Sequence, residues 1–219
     1  MRSIVDTYFS FRSPYSYLVT PNLLKLKKDF NVKIVIRPVL PIAIRAKDIV
    51  FDDPQGKQKA HYILRDSFRR AEFLNMKIAW PKPDPVVQNL ETFEVSDDQP
   101  YIHRLNALCI EAEKRGKGVN FAYAVSHLIF GGTLDWDKGD LLHSTVASAG
   151  LDLAELESAV SEHGGEQAYM QHIEENHLAL DSAGHWGVPT MVFKGEPFFG
   201  QDRIDTLRWR LDQHDLRKA

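Results

Sequence analysis

The sequence predicts an α/β fold in which a βαβ unit and a ββα unit are separated by a long all-helical insertion. Three observations carry that reading. Two apolar strands with a helix between them lie within residues 1–40, helical periodicity without a convincing strand fills 41–182, and strand patterning returns after Gly187.

The first strand is the run from Ser3 to Phe9, rich in Ile, Val, Thr, Tyr and Phe. Ser10-Phe11-Arg12-Ser13-Pro14 then leads into a helix whose apolar pattern runs through Tyr17, Leu18, Pro21, Leu24 and Leu26. Ser13 followed by Pro14 is a helix-start signature, because the hydroxyl accepts from a free backbone N–H and proline takes the first helical position without losing a bond. Val32-Lys33-Ile34-Val35-Ile36 gives the second strand, ended by Arg37-Pro38. A unit this short has the size of a right-handed parallel crossover.

Helical spacing follows in 61–74, with Ile63, Leu64, Phe68, Ala71 and Leu74 as its apolar stripe, after which Pro81, Pro83 and Pro85 force an irregular, extended passage. Ile102, Leu105, Leu108, Cys109 and Ala112 mark a second helix closed by Gly116, with further helices at 121–130, 140–149 and 152–163, the last opened by Asp152 and Glu155 at capping-box spacing. A long helix over 166–183 should end near Gly184. Pro189-Thr190-Met191-Val192-Phe193 and Pro197-Phe198-Phe199 are strands about the turn Lys194-Gly195-Glu196, and a last helix carries Ile204, Leu207 and Leu211. This order is the thioredoxin-like architecture with a helical domain inserted: residues 1–40 and 183–219 make the thioredoxin-like domain and 41–182 the insertion, including the helix that leads back into the sheet.

A chain of 219 residues that is 43% hydrophobic can bury a sizeable core. Formal net charge is -3, from 27 basic and 30 acidic side chains, and no basic run offers a footprint for nucleic acid. Asp6 interrupts the N-terminus before any signal-like apolar run, and no segment has the length of a membrane span, so a cytoplasmic location is expected. The one cysteine, Cys109, cannot form an internal disulfide or a Cys-x-x-Cys pair; it lies on an apolar helical stripe and reads as packed. Dithiol oxidoreductase activity is thereby excluded, and any thiol chemistry must use a borrowed sulfur. The nine histidines are scattered, and His172 and His177 lack the spacing of helical ligands, so no metal is expected.

Phe9-Ser10-Phe11-Arg12-Ser13-Pro14-Tyr15-Ser16-Tyr17-Leu18 and Gly187-Val188-Pro189-Thr190-Met191-Val192-Phe193 together resemble the 2-hydroxychromene-2-carboxylate isomerase family, which sits with the kappa-class glutathione transferases in the DsbA-like superfamily. The resemblance extends over nearly the whole chain, because Lys59, Tyr62, Asp66 and Gly200-Gln201-Asp202-Arg203 also fall on that family's motifs. It implies glutathione as cofactor, a small aromatic carboxylate as substrate and a homodimer. The implied reaction is reversible addition of the glutathione thiolate to a conjugated double bond, rotation, and elimination with the opposite geometry. Glutathione would lie against Ser13, Pro14, Tyr15, Lys59, Val188, Pro189, Gln201 and Asp202, with Ser13 as the catalytic group. Conjugation of glutathione to an electrophile and non-catalytic binding of a thiol ligand or peptide are the rival readings.

Ser13 has a physical case of its own. A helix N-terminus stabilises a thiolate through its unpaired N–H groups and macrodipole, so a hydroxyl placed there can donate to a sulfur brought by a ligand; the alternative is a plain helix cap. Pro189 matches a cis-proline that would expose the backbone of Val188 for strand-like pairing with the cysteinyl unit, against an ordinary trans proline at the start of a strand. Asp202 should cap the last helix, and Gln201, Asp202 and the following N–H groups can meet a γ-glutamyl ammonium and carboxylate. Lys59 can meet a carboxylate or stay solvated. The insertion lacks an asparagine between Pro41 and Leu74, where related enzymes supply one, leaving Arg45, Lys47 and Asp53 as substitutes. Phe11, Tyr15, Tyr17, Trp80 and Trp186 offer aromatic surface for a flat substrate, and Arg12 or Lys59 a cation for its carboxylate.

Overall fold

A computed structural model of the chain describes residues 2–45, 56–89, 92 and 94–218. Strands β1 (Ser3–Phe9) and β2 (Val32–Pro38) flank helix α1 (Pro14–Asp29), and β3 (Thr190–Phe193) and β4 (Glu196–Phe199) precede the last helix. The sheet order is β2-β1-β3-β4, with β1 parallel to β2 and antiparallel to β3, and β4 antiparallel to β3. That is the thioredoxin-like sheet expected from the strand pattern. Strand β2 runs through Pro38 rather than stopping at Ile36, because Pro38 still pairs with Phe9 while its missing N–H lies where no ladder bond is needed.

Between β2 and β3 lie α2 (Ile42–Arg45), α3 (Gly56–Phe73), α4 (Ile102–Lys114), α5 (Gly118–Phe130), α6 (Leu141–Ser148), α7 (Leu153–Glu162), a 3₁₀ turn (Glu166–Tyr169) and α8 (Met170–Ser182); α9 (Ile204–Asp212) closes the chain. Asp152 caps α7 by accepting from the Glu155 N–H at 3.1 Å. The expected single helix over 166–183 is instead a 3₁₀ turn followed by α8. Its start is tied down by the buried Tyr169, whose hydroxyl donates to Glu111 Oε1 at 2.7 Å. Within α1, Pro21 deprives the Tyr17 carbonyl of its helical partner, and the Thr20 hydroxyl donates to that carbonyl at 2.8 Å instead.

One face of the sheet presents Val5 and Phe9 to a core shared with α1, α4, α5 and α9, so the sheet and the helical segment pack on common apolar ground. On the other face Tyr8, Val39, Leu180 and Val192 form a smaller cluster. Cys109 is fully buried, and burial pushes its thiol well above the ordinary range, which keeps it inert. The stripe expected to bury α3 is only partly covered: Ala71 is buried, whereas Ile63, Leu64 and Phe68 are each 40–41% exposed. Among the described residues no helix is long and apolar enough to cross a membrane.

Side chains also close the exposed edge of β2. Glu113 Oε2 accepts from the Ile36 N–H at 3.1 Å, and Asn176 donates to the Pro38 carbonyl at 2.9 Å, so this edge offers little to a foreign strand. Beyond it, buried His177 accepts from the Leu40 N–H through Nε2 at 2.8 Å, so its hydrogen sits on Nδ1, 3.1 Å from Glu174 Oε2. Burial lowers the His177 pKa below its ordinary 6.5. A histidine depressed in the folded state contributes stability that is present above pH 6.5 and lost as pH falls below it. His177→Ala, which leaves the Leu40 N–H unpartnered, should cost about 1–3 kcal/mol at pH 7.5, with the gap to wild type narrowing below pH 6. Urea denaturation at the two pH values checks this, and a gap that widens in acid would refute it.

Candidate active site

The site is built where the start of α1 meets the turn into β3. Ser13 is the N-cap of α1, with extended backbone, Pro14 in the first turn and Oγ accepting from the Ser16 N–H at 3.2 Å. Its hydroxyl also lies 3.5 Å from the carbonyl oxygen of Val188, at the outer limit of a hydrogen bond. The Val188–Pro189 bond is cis. Residues 175 apart in sequence are thus brought together as the two terminal motifs require. The Ser13 proton is held only loosely by Val188, and the Val188 N–H has no partner among the described residues.

The loop around Val188 is shaped by close contacts. His185 Nδ1 accepts from the Gly187 N–H at 2.8 Å, and its ring stacks on Phe199 at 3.8 Å between centroids. A β-carbon at Gly187 would sit 2.5 Å from the Phe199 ring, which accounts for glycine there. Arg45 donates to the carbonyls of Leu40, at 3.0 Å, and of Trp186, tying the approach to Val188 to the loop after β2. Its guanidinium therefore fastens backbone; Lys47 and Asp53 lie outside the described residues. Trp186 is 48% exposed and stacks on His185, so it is surface and not core.

Tyr15 donates to Asp66 Oδ2 at 2.7 Å, joining α1 to α3. Burial, with Asp66 beside it, pushes the tyrosine pKa far up, so its proton stays on oxygen and committed to Asp66. Tyr15 thus fastens the start of α1 to α3. Lys59, Asp66 and Arg70 of α3 are separated by seven and four residues, which at about 100° per residue puts all three on one face. Lys59 is solvent-exposed.

The segment after β4 returns to the same place. The Gly200 N–H donates to the Pro189 carbonyl at 2.9 Å, and Gly200 has a φ of 105°, a conformation that glycine adopts freely. Gln201 is buried, and its Oε1 accepts from Arg70 Nη2 at 3.2 Å. Asp202 does not cap the last helix: α9 begins after Arg203 with no side-chain cap, and the exposed Asp202 pairs with Arg203 at 3.1 Å. The turn at Gly200 places Asp202 too early in the chain to reach the first helical N–H groups. Its carboxylate remains at the surface.

Other expected contributors are otherwise engaged. Arg12 forks onto Asp84 at 2.8 and 3.0 Å and reaches Gln88 at 2.9 Å, which removes it as a receiver of a substrate carboxylate. Phe11 and Tyr17 are fully buried and belong to the core, whereas Trp80 donates to Asp84 at 3.2 Å beside Arg12. Arg70 was missed in the sequence; the spacing it shares with Lys59 and Asp66 was the available signal.

With this geometry in view, the family model for the DSBA-like thioredoxin domain matches residues 4–212. The chain belongs to the DsbA-like thioredoxin family. Within that family it is similar to the 2-hydroxychromene-2-carboxylate isomerase of Pseudomonas putida, at 24% identity over 93% of this chain and 92% of the relative. A solved 2-hydroxychromene-2-carboxylate isomerase superposes with a TM-score of 0.64 at 24% identity, covering 96% of this chain and 95% of that one. The cytosolic disulfide reductase DsbM of Pseudomonas aeruginosa, solved with glutathione, superposes with a TM-score of 0.59 at 13% identity over 95% and 99% of the two chains. Unlike a dithiol member of the DsbA-like family, this chain presents a serine hydroxyl at the helix start.

Proposed function

We propose that this DsbA-like protein is a glutathione-dependent isomerase of a small aromatic carboxylate, similar to the 2-hydroxychromene-2-carboxylate isomerases. The observation that carries the reading is Ser13 Oγ at the N-terminus of α1, 3.5 Å from the carbonyl preceding cis-Pro189. The residues present fit the tripeptide. A strand-like backbone with an unclaimed N–H at Val188 suits its cysteinyl unit, and Gln201, Asp202 and Lys59 offer polar groups for its charged ends. When bound, glutathione would supply a thiolate that adds to a conjugated double bond and later departs, permitting rotation in between.

The chain's own part is to stabilise the sulfur anion. The Ser13 hydroxyl donates to it, and the first N–H groups of α1 add the field of the helix terminus. Ser13 is a hydrogen-bond donor and not a nucleophile, since among the described residues the hydrogen bonds at its Oγ are with the Ser16 N–H and the Val188 carbonyl, neither of them a base. The deciding assay is conversion of 2-hydroxychromene-2-carboxylate with and without glutathione. Turnover that requires glutathione and releases no adduct supports the proposal; a released conjugate makes the protein a transferase, and binding without turnover makes it a receptor.

Asp202 bears on the same site. Asp202→Ala should weaken glutathione about tenfold, roughly 1.4 kcal/mol, through loss of the carboxylate facing the γ-glutamyl ammonium. Because Asp202 caps no helix, thermal stability should stay within about 0.5 kcal/mol of wild type. Calorimetry showing unchanged affinity would remove Asp202 from the site.

A further inference from the structure

We propose that Arg70 is a carboxylate-receiving residue of this site, an inference that rests on the glutathione-dependent reading above. Among the described partly buried arginines, Arg12, Arg37 and Arg208 are matched to Asp84, Asp6 and Asp29, and Arg45 is spent on the carbonyls of Leu40 and Trp186. Arg70 has no carboxylate within salt-bridge reach among the described residues. Its guanidinium lies over the Phe73 ring at 4.8 Å and makes one hydrogen bond, from Nη2 to Gln201 Oε1, while Nε is buried without a partner. The acid one turn away, Asp66, is already held by Arg69 and by Tyr15.

Gln201 completes the receiving group. Because its Oε1 faces Arg70, its two Nε2 hydrogens are directed elsewhere, and they have no partner among the described residues although the residue is only 6% exposed. Arg70 and Gln201, 131 residues apart in sequence, thus meet with N–H donors left over on both side chains and no acceptor for them among the described residues. Two oxygens in one plane satisfy such a pair, which is the geometry of a carboxylate. The location is equally specific. Gln201 follows Gly200, whose N–H bonds Pro189, and Pro189 follows the carbonyl next to Ser13. A ligand with its sulfur at Ser13 therefore has an acidic group within its own length of Arg70.

Of glutathione's two carboxylates, the α-carboxylate of the γ-glutamyl residue answers this description rather than the glycyl one, because Gln201 adjoins Asp202, assigned above to the γ-glutamyl end; the carboxylate of the aromatic substrate answers it too. Calorimetry on wild type, Arg70→Gln and Arg70→Lys with glutathione and with 4-aminobutyryl-cysteinylglycine, which lacks only that α-carboxylate, separates them when combined with KM for 2-hydroxychromene-2-carboxylate. If the γ-glutamyl group is the source, Arg70→Gln weakens glutathione about tenfold, leaves the analogue unchanged, and Arg70→Lys recovers part of the loss. If the substrate is the source, glutathione affinity holds while KM rises about tenfold with kcat retained. Folded variants that alter neither quantity overturn the inference and leave the parent reading intact. A wild-type chain that binds no glutathione overturns both.

Discussion

Ser13→Ala is expected to raise the pKa of bound glutathione by about one to two units and to slow turnover at neutral pH by roughly 10- to 100-fold. A hydrogen bond to an ionised acceptor contributes about 1.5–3 kcal/mol, and about 1.36 kcal/mol of preference for the thiolate moves its pKa by one unit. The Ser13 proton is available for that bond because its present acceptor, the Val188 carbonyl, is 3.5 Å away. The helix terminus survives the substitution and retains part of the effect. Affinity should change little, and activity should return as pH rises, since alkali restores the missing thiolate. Ser13 also caps α1 by accepting from the Ser16 N–H, so the same variant should lose about 1 kcal/mol of stability. Ser13→Thr, which keeps both hydroxyl and cap, is the control. The measurement is thiolate absorbance of bound glutathione against pH, and superimposable titrations for wild type and Ser13→Ala would reduce Ser13 to a cap.

The largest expected effect on stability lies away from the site, at Glu111. Its buried carboxylate accepts from Tyr169 at 2.7 Å, Lys114 at 2.6 Å and Arg115 at 2.7 Å. Burial alone would push the carboxyl up; the three donors together outweigh burial and lower its pKa from 4.5 to about 2. Such a depression corresponds to about 3 kcal/mol. With the folded value below the unfolded one, this stability is present above pH 4.5 and is lost as pH falls towards 2. Glu111→Ala should cost on the order of 3–5 kcal/mol at pH 7, because the buried Tyr169 hydroxyl loses its acceptor and the charges at the end of α4 lose theirs. Glu111→Gln should cost less and flatten the acid limb of the stability curve. Urea titrations at pH 7, 4 and 3 test both, and an acid limb as steep in Glu111→Gln as in wild type would place the proton uptake elsewhere.

Most of the secondary structure was legible because it follows from local chemistry. The β-branched and aromatic content of Ser3–Phe9 and the apolar residues of Val32–Ile36 mark strands, and Ser13-Pro14 marks a helix start. The pairing of Ser13 with Val188 was legible through two motifs taken together, and the geometry brings those motifs into contact. That the chain holds no internal cysteine pair needed nothing beyond a count.

What only the tertiary structure decided was which partner each polar side chain found. Arg12, a free cation in the sequence, meets Asp84 across 72 residues, and Arg70, unremarked in the sequence, meets Gln201 across 131. Asp202 looked like a cap, but the turn at Gly200 places it one step too early. The helical stripe of Ile63, Leu64 and Phe68 promised burial that its neighbours only partly provide, whereas Glu111, one acid among 30, became the anchor for Tyr169. Backbone conformation is set by each residue and its near neighbours, so a linear reading recovers it. Charge pairing and burial depend on which surfaces the packed elements bring within a few ångströms, and no local pattern encodes that distance.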